Sequence, residues 1–270
     1  MKKRLLAASF AAAAWLTATA QAQPIYNGGH ADIGVEYEDG EFKLHYHFHS
    51  GEATYEAPHI GSATGFIADD FGDEEFAPSG AFTRVPDPSA LRPAGSQWDF
   101  IGATAGSPYW FLPQTFDSNK PFLGWASEEL EPGDWTGPLT FSLTGLISAP
   151  PGGQVSLWQI GFDPDDPTRL WDSQDGDFSN DLFNTIVGGH DHAVFGFTAP
   201  GVYQIEITAS GVHSTDGFVT GSSVFTFLVG DGTLTPSAVP EPSGIAAMLI
   251  AALLAGFGAW RTRRAPAMPA

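Results

Sequence analysis

The run Leu44-His-Tyr-His-Phe-His49 sets His45, His47 and His49 in strict alternation. Alternation is the periodicity of a β-strand, so the three imidazoles share one face while Phe42, Leu44, Tyr46 and Phe48 share the other. The apolar face satisfies a core, and packing gives no reason for the histidines. A second His-x-His stands at His190 and His192, and His30 precedes Asp32 by two residues. Neutral imidazole is the commonest protein metal ligand, so the chemistry these spacings suggest is metal coordination. Residues i and i+2 lie about 6.6 Å apart along a strand, and two such rings can lean onto one ion at roughly 2.0–2.1 Å from each nitrogen. His45 and His49 are about 13 Å apart by the same rise, so at most two of the three share a centre unless the strand is bulged. A zinc centre takes three or four ligands, so the remainder must come from His30 and Asp32 or from His190 and His192 on neighbouring strands. The chain has no cysteine. Imidazole and carboxylate without thiolate suit zinc first, then copper, nickel or iron.

Each group has a plainer reading beside this one. His45, His47 and His49 are also what a solvated strand face carries, His190 and His192 follow a Gly-Gly turn, and His30 with Asp32 is also a capping or turn pair. His59 and His213 are isolated, and surface positions are expected for both. Calcium is a further possibility in the Asp-rich loop from Asp163 to Asp181, although its spacing does not match the EF-hand loop. Trp98, Trp110, Trp125, Trp135, Trp158 and Trp171 offer a sugar-stacking platform, but their apolar surroundings favour core packing.

The elements that must position these groups read as strands. Ile33, Val35 and Tyr37 alternate, as do Tyr203, Ile205 and Ile207, while Val155–Phe162 and Val224–Val229 are apolar enough to be central. Between them fall turn clusters such as Pro86-Asp-Pro88, Ala149-Pro-Pro-Gly-Gly153 and Asp163-Pro-Asp-Asp-Pro167, and no segment has a sustained helical period. Phe197-Thr-Ala-Pro-Gly-Val-Tyr-Gln-Ile205 reads as the turn into a late strand of an immunoglobulin-like fold. The expected class is all-β, an antiparallel immunoglobulin-like β-sandwich over residues 23–229, followed by a linker at 230–238. Without disulfides its stability must come from a core, and about 215 residues are enough to build one.

The formal charge is −20. Six of the 11 basic residues sit at the two ends, leaving Lys43, Arg84, Arg92, Lys120 and Arg169 against 30 of the 31 acids, so the body carries close to −25. Repulsion from phosphates excludes nucleic acid as a partner. A field of that sign gathers cations instead.

The ends read as targeting segments. Lys2, Lys3 and Arg4, an apolar stretch from Leu5 to Leu16 and small residues before Gln23 make residues 1–22 a signal peptide. At the other end Val239-Pro-Glu-Pro-Ser243 precedes an apolar run over 244–260, about 26 Å long as a helix, and then Arg261, Arg263 and Arg264, which hold that end in the cytoplasm. Residues 239–264 resemble the PEP-CTERM sorting signal of Gram-negative bacteria. The resemblance implies processing by an exosortase. The protein is then expected to be exported, held in the inner membrane by the C-terminal helix, and after processing placed at the cell surface or outside the cell.

The body resembles the choice-of-anchor M family of surface-anchored proteins, in its PEP-CTERM branch repressed by the zinc-uptake regulator. The matching runs are His30-Ala-Asp-Ile-Gly-Val-Glu-Tyr-Glu-Asp-Gly40, Leu44-His-Tyr-His-Phe-His49, Ser107-Pro-Tyr-Trp-Phe-Leu-Pro-Gln114, Phe122-Leu-Gly-Trp-Ala126 with Glu128 and Glu129, Val155-Ser-Leu-Trp158 and Gly189-His-Asp-His-Ala-Val-Phe-Gly-Phe-Thr-Ala-Pro-Gly201. The resemblance implies zinc acquisition or buffering at the cell surface, with zinc-uptake components as partners, and carries no catalytic residues. The expectation is a non-catalytic metal-binding protein with ligands among His30, Asp32, His45, His47, His49, His190 and His192. The alternatives are an interaction protein of the envelope or exopolysaccharide matrix and a zinc hydrolase using Glu36, Glu52 or Glu56 as general base. No HExxH run or nucleophile elbow supports the hydrolase.

Overall fold

The histidine-bearing segment forms one arm of an antiparallel hairpin in the computed structural model, which describes residues 24–49, 53–56, 66–67, 74–87 and 89–233. The expected signal peptide and the 239–264 sorting segment lie outside the described residues, as do Glu52 and His59. The strands in chain order are β1 (Ile25–Glu38), β2 (Glu41–Phe48), β3 (Thr54–Glu56), β4 (Phe66–Ile67), β5 (Glu74–Phe76), β6 (Phe82–Val85), β7 (Ala90–Leu91), β8 (Pro108–Leu112), β9 (Pro121–Ala126), β10 (Leu139–Ser148), β11 (Val155–Ile160), β12 (Pro167–Asp172), β13 (Leu182–Thr185), β14 (His190–His192), β15 (Val194–Phe197), β16 (Gly201–His213) and β17 (Gly217–Val229). Three short 3-10 turns, at Ser96–Ile101, Pro132–Asp134 and Phe178–Asn180, complete the described elements. None of the described helices is long and apolar enough to cross a membrane.

The class is all-β, in two sheets. The larger follows the order β13-β10-β16-β17-β6-β1-β2-β5, with β9 pairing β1 and β14 pairing β9; the smaller is β12-β11-β15-β8-β7. Aromatic side chains join the two faces. Trp125 of β9 lies 5.3 Å from Phe195 and 5.0 Å from Trp171, and Phe227 of β17 packs on both Phe195 and Phe197. All five are fully buried, each contributing about 1.5–3 kcal/mol by leaving water. Trp98 and Trp158 are buried as well, in a smaller cluster with Ile101, Tyr109 and Val194, so core packing accounts for Trp98, Trp125, Trp158 and Trp171, while Trp110 and Trp135 pack against the core partly buried.

Pairing is not antiparallel throughout. β1 runs parallel to β6 and to β9, and β17 runs parallel to β6. Side-chain alternation reports which face a residue occupies and is blind to the direction of the neighbouring strand, which is why the antiparallel expectation fails at these pairs.

The β1–β2 hairpin closes through Asp39-Gly40, both at positive φ, the conformation that a two-residue type I′ turn demands. At its other end β1 changes neighbours. Residues 25–28 pair β6 and β3, while residues 29–33 pair β9. The change falls at Gly28-Gly29, just after a register shift between Tyr26 and Gly28, and Gly29 takes a φ of 75°. This corner lets β9 and, beyond it, β14 lie beside the histidine-bearing half of β1. The local order is therefore β5-β2-β1-β9-β14, and the candidate site is laid across it.

Candidate metal centre

Register alone assembles most of the site. Glu75 of β5 pairs His47 of β2, His47 pairs Asp32 of β1, Asp32 pairs Gly124 of β9, and Gly124 pairs His192 of β14. One row crossing five strands thus carries a carboxylate, an imidazole, a carboxylate, a glycine and an imidazole on a single face. Ala31, Ile33 and Val35 point the other way into the core, as do Phe42, Leu44, Tyr46 and Phe48, all at most 4 % exposed. The polar face is not a solvated one. The side chains of Asp32, His45, His30, His47 and His49 are 0, 7, 15, 17 and 24 % exposed.

Asp32 is the centre of the arrangement. Its Oδ2 lies 2.7 Å from His49 Nε2 and 3.5 Å from His30 Nε2, and its Oδ1 is buried without a hydrogen-bond partner. Burial alone would raise the carboxyl's pKa, but the hydrogen bonds and charges of His30 and His49 outweigh it and hold the group well below the ordinary carboxylate range. An ionised carboxylate only accepts, so His49 donates from Nε2. The His30 ring stacks on His49 with centroids 4.3 Å apart and stands 5.1 Å from His192 and 5.7 Å from His190.

Two sets of potential ligand atoms meet at His30. His30, Asp32 and His49 form one; His30, His190 and His192 form the other; within each, every ligand atom lies within 4.8 Å of the rest. Bonds of about 2.0–2.1 Å in a tetrahedron hold ligand atoms roughly 3.3–3.4 Å apart. The 2.7 Å and 3.5 Å separations at Asp32 bracket that spacing. Both ring nitrogens of His192 are buried and lack hydrogen-bond partners, while His190 Nδ1 stands 3.4 Å from Glu128 Oε1, the carboxylate–imidazole pairing that orients metal-bound histidines. Orphaned donors of this kind are costly in a fold that gains nothing from them.

Gly124 makes the convergence possible. A Cβ there would overlap Asp32 Oδ1 and stand 2.6 Å from His192 Cε1. Gly34 does the same for β2, since a Cβ would lie 2.5 Å from His45 Nε2.

Burial pushes the His192 pKa down from 6.5 to about 4, with the charge of Asp32 opposing the shift and His30 and His190 adding to it. A base whose pKa falls on folding binds its proton more readily in the unfolded chain. Its contribution to stability is intact above pH 6.5 and is lost as pH falls toward 4. Discounted for partial exposure, the loss is about 1–2 kcal/mol. Metal-free His192→Leu protein is expected to lose roughly 3–6 °C less in Tm than the wild type between pH 6.5 and 4. Equal losses in a thermal-unfolding series would contradict this.

Of the expected residues, His30 joins Asp32 and His49 in one group and His190 and His192 in another, and His45 and His47 stand apart with Glu129. Separation of His45 from His49 follows the strand rise. Glu129 and Glu75 were not among the expected ligands. Only Glu129's place three residues beyond the end of β9, within the Phe122–Glu129 run, hinted at it. His213 is only partly exposed. Its side chain is 13 % exposed, 2.8 Å from Asp216, and its ring contacts Tyr37 and Trp135, a position that an isolated histidine in sequence cannot announce. In the Asp163–Asp181 loop the carboxylates cap the local backbone, Asp163 accepting from Asp165, Asp175 from Asp177 and Asp177 from Ser179. Asp172 and Asp181 pair with Arg169. No group of three ligand atoms forms there among the described residues. No family model, curated protein or solved structure matches the chain.

Proposed function

We propose that this protein is an exported, non-catalytic zinc-binding protein that captures or buffers the ion at the cell surface. The observation that carries the reading is a pair of triads that share His30, one with Asp32 and His49 and one with His190 and His192, beside a fully buried carboxylate that has an orphaned oxygen. Three or four nitrogen and oxygen donors without thiolate suit zinc. The acidic body supports it by concentrating cations near the site. The likeness of the His30–Gly40, Leu44–His49 and Gly189–Gly201 runs to choice-of-anchor M proteins supports a zinc role, with zinc-uptake components as partners. The PEP-CTERM likeness of 239–264 supports export, transient anchoring in the inner membrane and release by an exosortase.

An immunoglobulin-like arrangement is supported by Tyr203, whose hydroxyl donates to Ala199 O at 3.0 Å and accepts from Ala199 N at 3.1 Å, a corner of the type found before a late strand of such folds. Glu36, the candidate base of a hydrolase, lies in a carboxylate group with Glu75 and Glu129, and we read it as part of a cation-attracting rim.

Calorimetric titration of purified protein with zinc, checked by elemental analysis, tests the reading. A stoichiometric site tighter than about 1 μM, roughly −8 kcal/mol, is expected. Only weak binding spread over many sites would leave the histidines without a metal role and favour an interaction protein of the exopolysaccharide matrix.

A further inference from the structure

The histidine face extends past Asp32 to a second cluster with its own geometry. His45 Nε2 lies 2.9 Å from Glu129 Oε1, and His47 Nδ1 lies 3.8 Å from the same oxygen. All three ligand atoms fall within 4.8 Å of one another, and the two distances bracket the roughly 3.3–3.4 Å expected between ligands on a tetrahedral ion. His45 is buried, at 6 % exposure, over a glycine that leaves room for its ring. His47 Nδ1 is buried with no hydrogen-bond partner.

A second observation points to the charge of the occupant. Glu129 also brings a carboxylate oxygen within 4.8 Å of oxygens on Glu36 and Glu75. Three ionised carboxylates so close repel one another unless a cation sits among them. The nearby Lys43 is drawn to Glu41 at 3.0 Å. A divalent ion among these groups answers the charge. The cluster borders a cleft of about 520 Å³ whose lining includes His45, four carboxylates (Glu36, Glu38, Glu41 and Glu75) and one ammonium, Lys43, so the charge met by a cation entering from solvent is predominantly negative.

We propose that His45, His47 and Glu129 form an outer cation centre, distinct from the inner centre at Asp32 and entered through this acidic cleft. The proposal rests on the reading of the inner centre as a metal site. The inner carboxylate, Asp32, is wholly buried while Glu129 is 29 % exposed, so the inner centre binds zinc more tightly and the outer one exchanges it with solvent. His47 and His49, one from each centre, stack with centroids 4.8 Å apart, which places the two ions as neighbours along β2.

Zinc titration of the purified full chain and two variants tests this. The wild type is expected to take up two equivalents, the second at least ~10-fold weaker. Glu129→Gln is expected to lose the weaker equivalent and keep the tighter one within about threefold. Gly34→Ala, which places a methyl against His45, is expected to behave like Glu129→Gln, and circular dichroism with Tm establishes that both variants fold. A single equivalent in the wild type overturns the outer centre and leaves the inner one standing. Loss of both equivalents in folded Glu129→Gln, or retention of both, also overturns it. No stoichiometric binding by any of the three overturns the inner centre as well.

Discussion

Asp32→Asn lowers the zinc affinity of the inner centre by at least ~100-fold, more than the 10–100-fold typical of outer-shell changes, and lowers the Tm of the metal-free protein at pH 7.5. The two effects have one cause. Asp32 is wholly buried and held ionised by hydrogen bonds from histidines. A carboxyl whose pKa falls on folding is favoured as its ion in the folded chain, so its charge contributes stability above the unfolded pKa and is lost with the substitution. Asn keeps the volume and an acceptor for His49 but removes the charge that draws a divalent ion. A competition titration against a chelating dye reads the affinity, and differential scanning calorimetry reads the Tm. Unchanged affinity would remove Asp32 from the site.

Gly124→Ala has the second-largest expected effect. The added methyl would overlap Asp32 Oδ1 and press on His192 Cε1 at 2.6 Å, so either the carboxylate or the imidazole must turn away. Gly124 has no positive φ, and backbone strain therefore plays no part in the outcome. Loss of one donor of three or four is expected to weaken zinc binding by ~10–100-fold. Gly133→Ala is the control, because a Cβ there meets nothing within 4 Å and zinc affinity should be unchanged. Equal affinities in the two variants would show that the space over Gly124 is not used by a metal.

The hairpin face was legible in the sequence because period two is a local property. Phe42, Leu44, Tyr46 and Phe48 face the core and His45, His47 and His49 the opposite side, as alternation requires. The strand rise also separated His45 from His49 before any neighbour was known. What lay outside reach was everything set by register between distant strands. Gly124 looks like any glycine in Phe122-Leu-Gly-Trp-Ala126, and its meaning arises only where β9 runs parallel to β1 and places it between Asp32 and His192. Glu129 and Glu75 carry no periodic signal. They reach the histidines through the stretch after β9 and through β5. The near-complete burial of Asp32 was hidden for a similar reason, since Asp32 reads as one polar residue in an amphipathic strand until β2, β9 and β14 close over it.

The most direct test of a metal centre at Asp32 is a crystal of zinc-loaded protein measured on either side of the zinc absorption edge. An anomalous peak is expected about 2.0–2.2 Å from Asp32 and from imidazole nitrogens of His30 and His49. A map with no peak on this face, in protein shown by elemental analysis to contain zinc, would contradict it.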